Sequence, residues 1–254
     1  MKRIVTAAVL IPAVVGVIFW APNGGVRLAL ALVALLCLSE FLDLAARYGA
    51  EPMRVIAYLA GALVAAAGAP AGAPFLLGVT LLLLTLALGG GRPLPAVAAT
   101  LLGIIYTTVP FRLAGDLHAA SPHWLFYALL MNWVGDSAAY YVGRATGRHK
   151  LAPRISPGKS WEGAAASFLL AVPAGTLYLR HFLPQPRSVA FLLGLSVAVN
   201  IAAQVGDLAE SALKRGANVK DSGGLLPGHG GMLDRLDGVL FSIPVVYFGV
   251  GLPG

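Results

Sequence analysis

The 254-residue sequence predicts an all-α, polytopic membrane helical bundle of about nine transmembrane helices. Three observations carry that expectation. Apolar residues make up 58% of the chain and charged residues 11%, less than half of the roughly 25% that covers a soluble domain. The charged residues are also clustered, leaving charge-free runs close to the roughly 20 residues that cross a bilayer as a helix. These runs are too long, and alternate too little, for barrel strands. The same composition excludes disorder, and the unperiodic Gly and Pro exclude collagen. A lone Cys37 excludes an internal disulfide and a cysteine zinc site.

Taken in order, the runs are Ile4 to Val26, then Leu28 to Ser39, which is the shortest. Val55 to Gly91 follows, divided into two spans by Ala69-Pro70-Ala71-Gly72-Ala73-Pro74. Pro93 to Phe111, Leu117 to Gly135, Gly163 to Leu179, Ser188 to Gly206 and Gly238 to Gly254 complete the nine. The first run follows Met1-Lys2-Arg3, as a signal peptide would. It is long for such a peptide, lacks a clear small-x-small site after Trp20 and is followed by further spans, so it is read as retained. The chain divides into N-terminal helices (1–115) and a C-terminal catalytic region (116–254).

Nine spans put the N-terminus and the loops after the second, fourth, sixth and eighth spans on one side. That side holds 14 of the 18 basic residues; Arg27, Arg112, Arg180 and Arg187 lie on the other. Basic loops stay in the cytoplasm. The expectation is a multi-pass protein of the inner (plasma) membrane with loops 143–163 and 207–237 in the cytoplasm. Topology explains the net charge of +7, and no nucleic-acid partner is needed.

Two loops carry more than topology. Gly143 to Gly163 holds five basic residues, with Pro153 and Pro157 breaking any helix. Arg154, Lys159 and Ser160 offer charge and hydroxyl donors to phosphate. Pro157-Gly158-Lys159-Ser160 is not a P-loop, because position 153 is proline where that motif needs glycine. Spacing alone leaves a merely positive loop as an equal reading.

Gly206 to Gly238 says more. Five of the eleven acidic residues lie here, Asp207, Glu210, Asp221, Asp234 and Asp237, interleaved with Lys214, Arg215, Lys220, His229 and Arg235. Asp234 and Asp237 share a helix face. Asp207 ends the eighth span, on a stripe with Asn200, Gln204 and Ser211 that is costly against lipid. Hard cations take carboxylate oxygens together with substrate phosphates, so carboxylates mixed with bases and glycine turns suit a metal–polyphosphate complex. Asn132, Asp136 and Tyr140 form a second polar face near the end of the sixth span. Asp136 and Asp207 end on the same side and can converge.

The stretch Ser211-Ala-Leu-Lys-Arg-Gly-Ala-Asn-Val-Lys220-Asp221-Ser-Gly-Gly-Leu-Leu-Pro-Gly-His229-Gly-Gly-Met-Leu-Asp234-Arg235-Leu-Asp237 resembles the signature of the phosphatidate cytidylyltransferase (CDP-diacylglycerol synthase) family. Pro153-Arg-Ile-Ser-Pro157 and Trp161-Glu162-Gly163 resemble its second motif, with Ser160 and Ser137 where threonine is commoner. The resemblance runs from about Asn132 to Gly238. It implies CTP + phosphatidate → CDP-diacylglycerol + pyrophosphate, with Mg2+ held by Asp207 and Asp234 and K+ as a second cation. On this reading Lys220, Arg235 and His229 contact phosphate. Asp221 and Asp237 support the metal site or hold a second cation. Ser156, Lys159 and Ser160 hold a substrate phosphate, and Asp136, Arg154, Glu210, Ser211, Lys214 and Arg215 complete the substrate-facing set.

Two rivals are a CTP-using polyprenol kinase, which would release CDP instead of pyrophosphate, and a cation transporter running through Asp136 and Asp207. A transporter favours an inverted repeat, and Gly206 to Gly238 has no convincing second copy. The partners expected are CTP, phosphatidate and the bilayer. The sequence sets no acyl-chain preference and leaves a homodimer open.

Overall fold

The computed structural model describes residues 2–66, 78, 85, 89–91, 93–183, 187–225 and 230–252. Among these residues the chain forms eight helices and one short hairpin. The helices are α1 (Lys2–Trp20), α2 (Asn23–Arg47), α3 (Arg54–Ala66), α4 (Leu94–Ala120), α5 (Pro122–Thr146), α6 (Trp161–Phe182), α7 (Val189–Gly216) and α8 (Leu233–Val250). The hairpin pairs β1 (Lys150–Ala152) with β2 (Ser156–Ser160) in antiparallel fashion.

The all-α expectation holds, and the count of nine spans does not. Among the described residues four helices, α2, α4, α6 and α7, are long and apolar enough to cross a membrane. The stretch expected to hold most of the fourth span, up to Gly91, lies largely outside the described residues. Three boundaries also move. The first turn falls at Ala21-Pro22, and Arg27 lies inside α2. Arg112 and Asp116, expected in a loop, lie inside α4, and the chain turns at Ser121 instead. The line drawn between residues 115 and 116 therefore falls within α4. Charge marked the wrong points because these three residues satisfy one another within the protein. Arg27 meets Asp116 at 2.6 Å, and Arg112 lies 3.7 Å from it. Helices also outrun the apolar runs: α5 continues to Thr146 and α7 to Gly216, beyond Asp207, where Leu, Ala, Lys, Arg and Glu are good helix formers.

Four interior prolines, Pro12, Pro110, Pro173 and Pro244, are accommodated, as neighbouring helices in a bundle allow. The core has two main parts. One gathers Tyr127, Met131, Leu179, Leu192, Val199 and Ile243 from α5 to α8, with Ile18 of α1. The other joins Cys37 and Phe41 of α2 to Phe111 of α4 and Leu233 and Leu240 of α8. Close approach between α7 and α8 depends on glycine. A Cβ on Gly206 would sit 2.6 Å from the Asp237 carbonyl, and one on Gly238 would sit 3.1 Å from the Ala203 carbonyl. Small residues at a helix interface let backbones meet in this way.

The two ends of the bundle differ. At one end His118 Nε2 lies 2.8 Å from the Ile18 carbonyl, beside the Arg27–Asp116–Arg112 cluster. At the other, the Tyr48 hydroxyl donates to the Leu213 carbonyl at 2.8 Å, and the Met53 amide donates to Thr100 Oγ1 at 2.9 Å. The hairpin and the start of α8 belong to this second end.

The first end gives a stability test. Removing one member of a buried ion pair typically costs about 3–5 kcal/mol. Asp116→Ala should cost near the lower figure, because Arg27 keeps 25% side-chain exposure. Asp43→Asn breaks the exposed Arg54–Asp43 pair and should cost under about 1 kcal/mol. Melting curves in detergent compare the two, and equal losses would show that the Asp116 cluster is effectively solvated.

Candidate active site

The basic loop after α5 folds into the hairpin because Pro153 and Pro157 exclude a helix and its base is tied on both sides. The Trp161 amide donates to the His149 carbonyl at 2.9 Å, and His149 Nδ1 lies 2.7 Å from Glu162 Oε1. Ser160 is buried and serves as N-cap of α6, accepting the Gly163 amide at 3.2 Å. Lys159, one residue earlier, reaches back to α7 and contacts Asp207 at 2.6 Å. Arg215 Nε donates to the Ile155 carbonyl at 3.2 Å, fixing the hairpin tip to the end of α7. Arg154 is exposed and Ser156 half-buried on the same hairpin.

A second set of contacts joins α7 to α8. The Lys214 ammonium lies 2.5 Å from Glu210 Oε2 and 2.5 Å from Asp234 Oδ1. The other Asp234 oxygen accepts the amides of Ser222 at 2.9 Å and Gly231 at 2.7 Å. Asp234 stands in the first turn of α8, ahead of the charge-free stretch beginning at Gly238. Partial burial pushes its pKa up, but Lys214 and the Gly231 and Ser222 amides outweigh that and hold it at about 2. Asp234 is therefore ionised throughout the neutral range. Ser211 is buried beside Glu210, whereas Lys220, Asp221 and Arg235 are exposed. His229 lies outside the described residues.

Between these two sets lies a recess lined with acid. Asp136 of α5, Asp207 and Glu210 of α7, and Asp237 of α8 lie within electrostatic range of Asp237 or of one another, with Lys159 and Arg235 close to Asp136. Asp136 is exposed, and Asp207 and Asp237 are half-buried. The group thus opens to solvent instead of being sealed in the core. Polar side chains support it from below: Asn132 donates to Ser242 Oγ at 2.8 Å, Asn200 donates to Ser167 Oγ at 3.0 Å, and Gln204 donates to Asn200 Oδ1 at 2.7 Å.

Among the described residues no three carboxylate, His or Cys groups already surround a point where an ion would sit. The donor set still fits a hard cation. Several carboxylates with few cations between them face open space, the composition that Mg2+ shares with substrate phosphates. Asp207 is the better placed of the two carboxylates expected to hold metal, having one lysine contact. Asp234 has both oxygens engaged.

Of the residues singled out in the sequence, the structure brings Asp136, Lys159, Asp207, Glu210, Lys214, Asp234, Arg235 and Asp237 to one end of the bundle. It puts Ser160 to work as a helix cap and Arg215 as a tie to the hairpin. One residue at this end escaped the sequence reading altogether. Glu40 of α2 is 7% exposed and accepts the Ser222 hydroxyl and two α8 amides. The available signal was an acid directly after the apolar run Leu28 to Ser39, still on helix-forming sequence.

Comparison with known proteins identifies the family. The model of the Cytidylyltransferase family matches residues 1–252. A phosphatidate cytidylyltransferase of Bacillus subtilis (strain 168) is 47% identical over 126 residues, which is 49% of this chain and 46% of that protein. One from Staphylococcus aureus (strain COL) is 39% identical over 151 residues, 59% of this chain and 57% of that one. One from Haemophilus influenzae is 40% identical over 152 residues, 54% of this chain and 52% of that one. The chain spans about half the length of the curated relatives it matches. With a family match over residues 1–252, this chain belongs to the cytidylyltransferase family.

Proposed function

We propose that the chain makes CDP-diacylglycerol and pyrophosphate from CTP and phosphatidate. The observation that carries this reading is the open acidic recess at the end of a helical bundle, rimmed by Lys159, Arg235 and the hairpin, in a chain whose relatives are named phosphatidate cytidylyltransferase. One substrate is a lipid and the other a water-soluble nucleotide, and a polar recess at a bundle end is reached from both phases.

In the reaction a phosphate oxygen of phosphatidate attacks the α-phosphorus of CTP. The bond from that phosphorus to the α,β-bridging oxygen breaks, and pyrophosphate departs with the electron pair. The attacking phosphate is already anionic at neutral pH, so the protein's task is positioning and charge neutralisation. A magnesium ion, when bound, would screen the phosphates and stabilise charge on the leaving group. Asp207 would hold it, with Asp237 and Asp136 adding negative charge, and Asp234, fixed on Lys214, would complete the acidic surround. Potassium would be a second cation in the same recess. Lys159 would pass from Asp207 to a substrate phosphate, and Lys220 and Arg235, both exposed at the rim, would contact the triphosphate. The basic residues gathered at this end of the bundle, among them Arg47, Arg54, Arg144, Arg148, Lys150 and Arg154, support a cytoplasmic position for the recess.

Purified protein given CTP and phosphatidate should release pyrophosphate and no CDP; CDP as product would indicate a kinase. Asp207→Asn should abolish turnover and leave the melting temperature nearly unchanged, because the residue is half-buried with one partner. Asp234→Asn should abolish turnover and also destabilise by about 1–3 kcal/mol, since Lys214 and two amides lose a charged acceptor. Retained activity in both variants would remove these carboxylates from the mechanism.

Lys220→Gln separates a phosphate contact from the general positive charge. Losing one preorganised charge contact in a reacting site costs roughly 10²–10³ in rate. Arg54→Gln removes the same charge from the same end but from an exposed pair, and should change turnover little. Equal small losses would transfer the phosphate role to Arg235.

Cysteine labelling checks the side. Arg148→Cys should be shielded from impermeant reagents in intact cells and Ser188→Cys, at the opposite bundle end, should react. The reverse pattern would put the recess away from CTP.

A further inference from the structure

We propose that Glu40 is a positioning residue for the recess. Reaching in from α2, its carboxylate caps the start of α8 and pins Ser222, so that Asp234 is set on Lys214 and Asp237 against α7 beside Asp207. The catalytic part of this proposal rests on the function proposed above; the holding of Ser222 and α8 does not.

A carboxylate buried among apolar helices carries a large desolvation cost unless several donors meet it. Glu40 is met by three. Ser222 Oγ donates to Oε2 at 2.8 Å, the Met232 amide to Oε1 at 2.9 Å, and the Leu233 amide to Oε2 at 2.8 Å. The last two are the leading amides of α8, which have no partner within that helix. Local sequence does not supply the usual remedy, because the N-cap position is Met232, which has no side-chain acceptor. Glu40 supplies it from 192 residues away. Its negative charge also faces the positive end of α8.

The fit leaves no slack. A Cβ at Gly223 would lie 2.7 Å from Glu40 Oε1, and one at Gly231 would collide with Oε2. Both glycines let the backbone close on the carboxylate. Ser222 is held from two sides at once, its hydroxyl by Glu40 and its amide by Asp234. Glu40, Ser222, Asp234 and Lys214 thus form one chain of contacts from α2 through α8 to α7. Any slip of the α8 start would move Asp234 and Asp237 together, because they share its first turns.

The test is Glu40→Gln, which keeps the size of the side chain but replaces one acceptor oxygen with a donor. Asp43→Asn, an exposed change one turn along α2, is the control. Deuterium uptake at Met232 and Leu233 should rise at least about tenfold in Glu40→Gln, with a smaller rise at Ser222, whose amide is held by Asp234, and the rest of the bundle unchanged. The kcat should fall about 10- to 100-fold, and the magnesium concentration for half-maximal activity should rise several-fold. Glu40→Asp should recover part of both. A purely structural role would lower the yield of folded protein without changing magnesium dependence. If Glu40→Gln does not fold, Ser222→Ala, which removes one of the three bonds, should show the same changes in smaller measure. Unchanged uptake at the three positions overturns the holding role. Raised uptake with unchanged kcat and magnesium dependence overturns the positioning role. A wild-type protein that releases no pyrophosphate would sink the proposed function instead, and uptake would still decide whether Glu40 holds the segment.

Discussion

An ionisable side chain in an apolar helical bundle must be paired, be met by several dipoles or reach water. That requirement organises both ends of this molecule. At one end Asp116 lies between Arg27 and Arg112, and the charges cancel largely against one another inside the protein. The helices meeting there, α2 and α4, are held in register by a contact that is mostly withdrawn from solvent. At the other end acids from α5, α7 and α8 outnumber the lysines set among them, and the excess is tolerated because the recess is open. A closed arrangement is structural, whereas an open one retains electrostatic work to do on a ligand.

The two lysines of the recess show the same division on a smaller scale. Lys214 touches two carboxylates, Glu210 and Asp234, and keeps 12% side-chain exposure. Moving it would strand two acids, one of them fully buried. Lys159 touches Asp207 alone and sits on a hairpin instead of a helix. Its withdrawal strands one half-exposed acid, which water or a cation can serve. Equal formal charges therefore have unequal freedom. Lys214 acts as a clamp between helices, while Lys159 is the lysine able to change partners.

Much of this was legible in the sequence, for reasons that also explain what was not. The apolar runs give the all-α membrane character, because hydrocarbon admits few other solutions. Carboxylates crowded among glycines and bases between residues 206 and 238 mark the recess. Helix ends were misplaced wherever charge was taken as a loop marker. Arg27, Arg112 and Asp116 look like loop residues singly and become interior residues only as a set, across 89 positions of sequence between Arg27 and Asp116. Ser160 is a helix cap, a role that its sequence neighbours do not announce. The position of Glu40 after an apolar run hints at a buried acid, but its partners, 182 to 193 residues away, cannot be read from it.

Glycine placement links the fold to the chemistry. Gly206 and Gly238 let α7 and α8 approach until the Asp237 backbone lies against α7 one residue from Asp207. Gly223 and Gly231 let the segment before α8 close on Glu40. Each loses more backbone freedom on folding than another residue would. The return is geometric in both cases. The first pair sets how near the acids of α7 and α8 come to each other, and the second sets where α8 begins along its axis. Separation and register are the two quantities a multi-carboxylate cation site must fix. In this chain they are fixed by residues that carry no charge, and by one carboxylate, Glu40, contributed by α2.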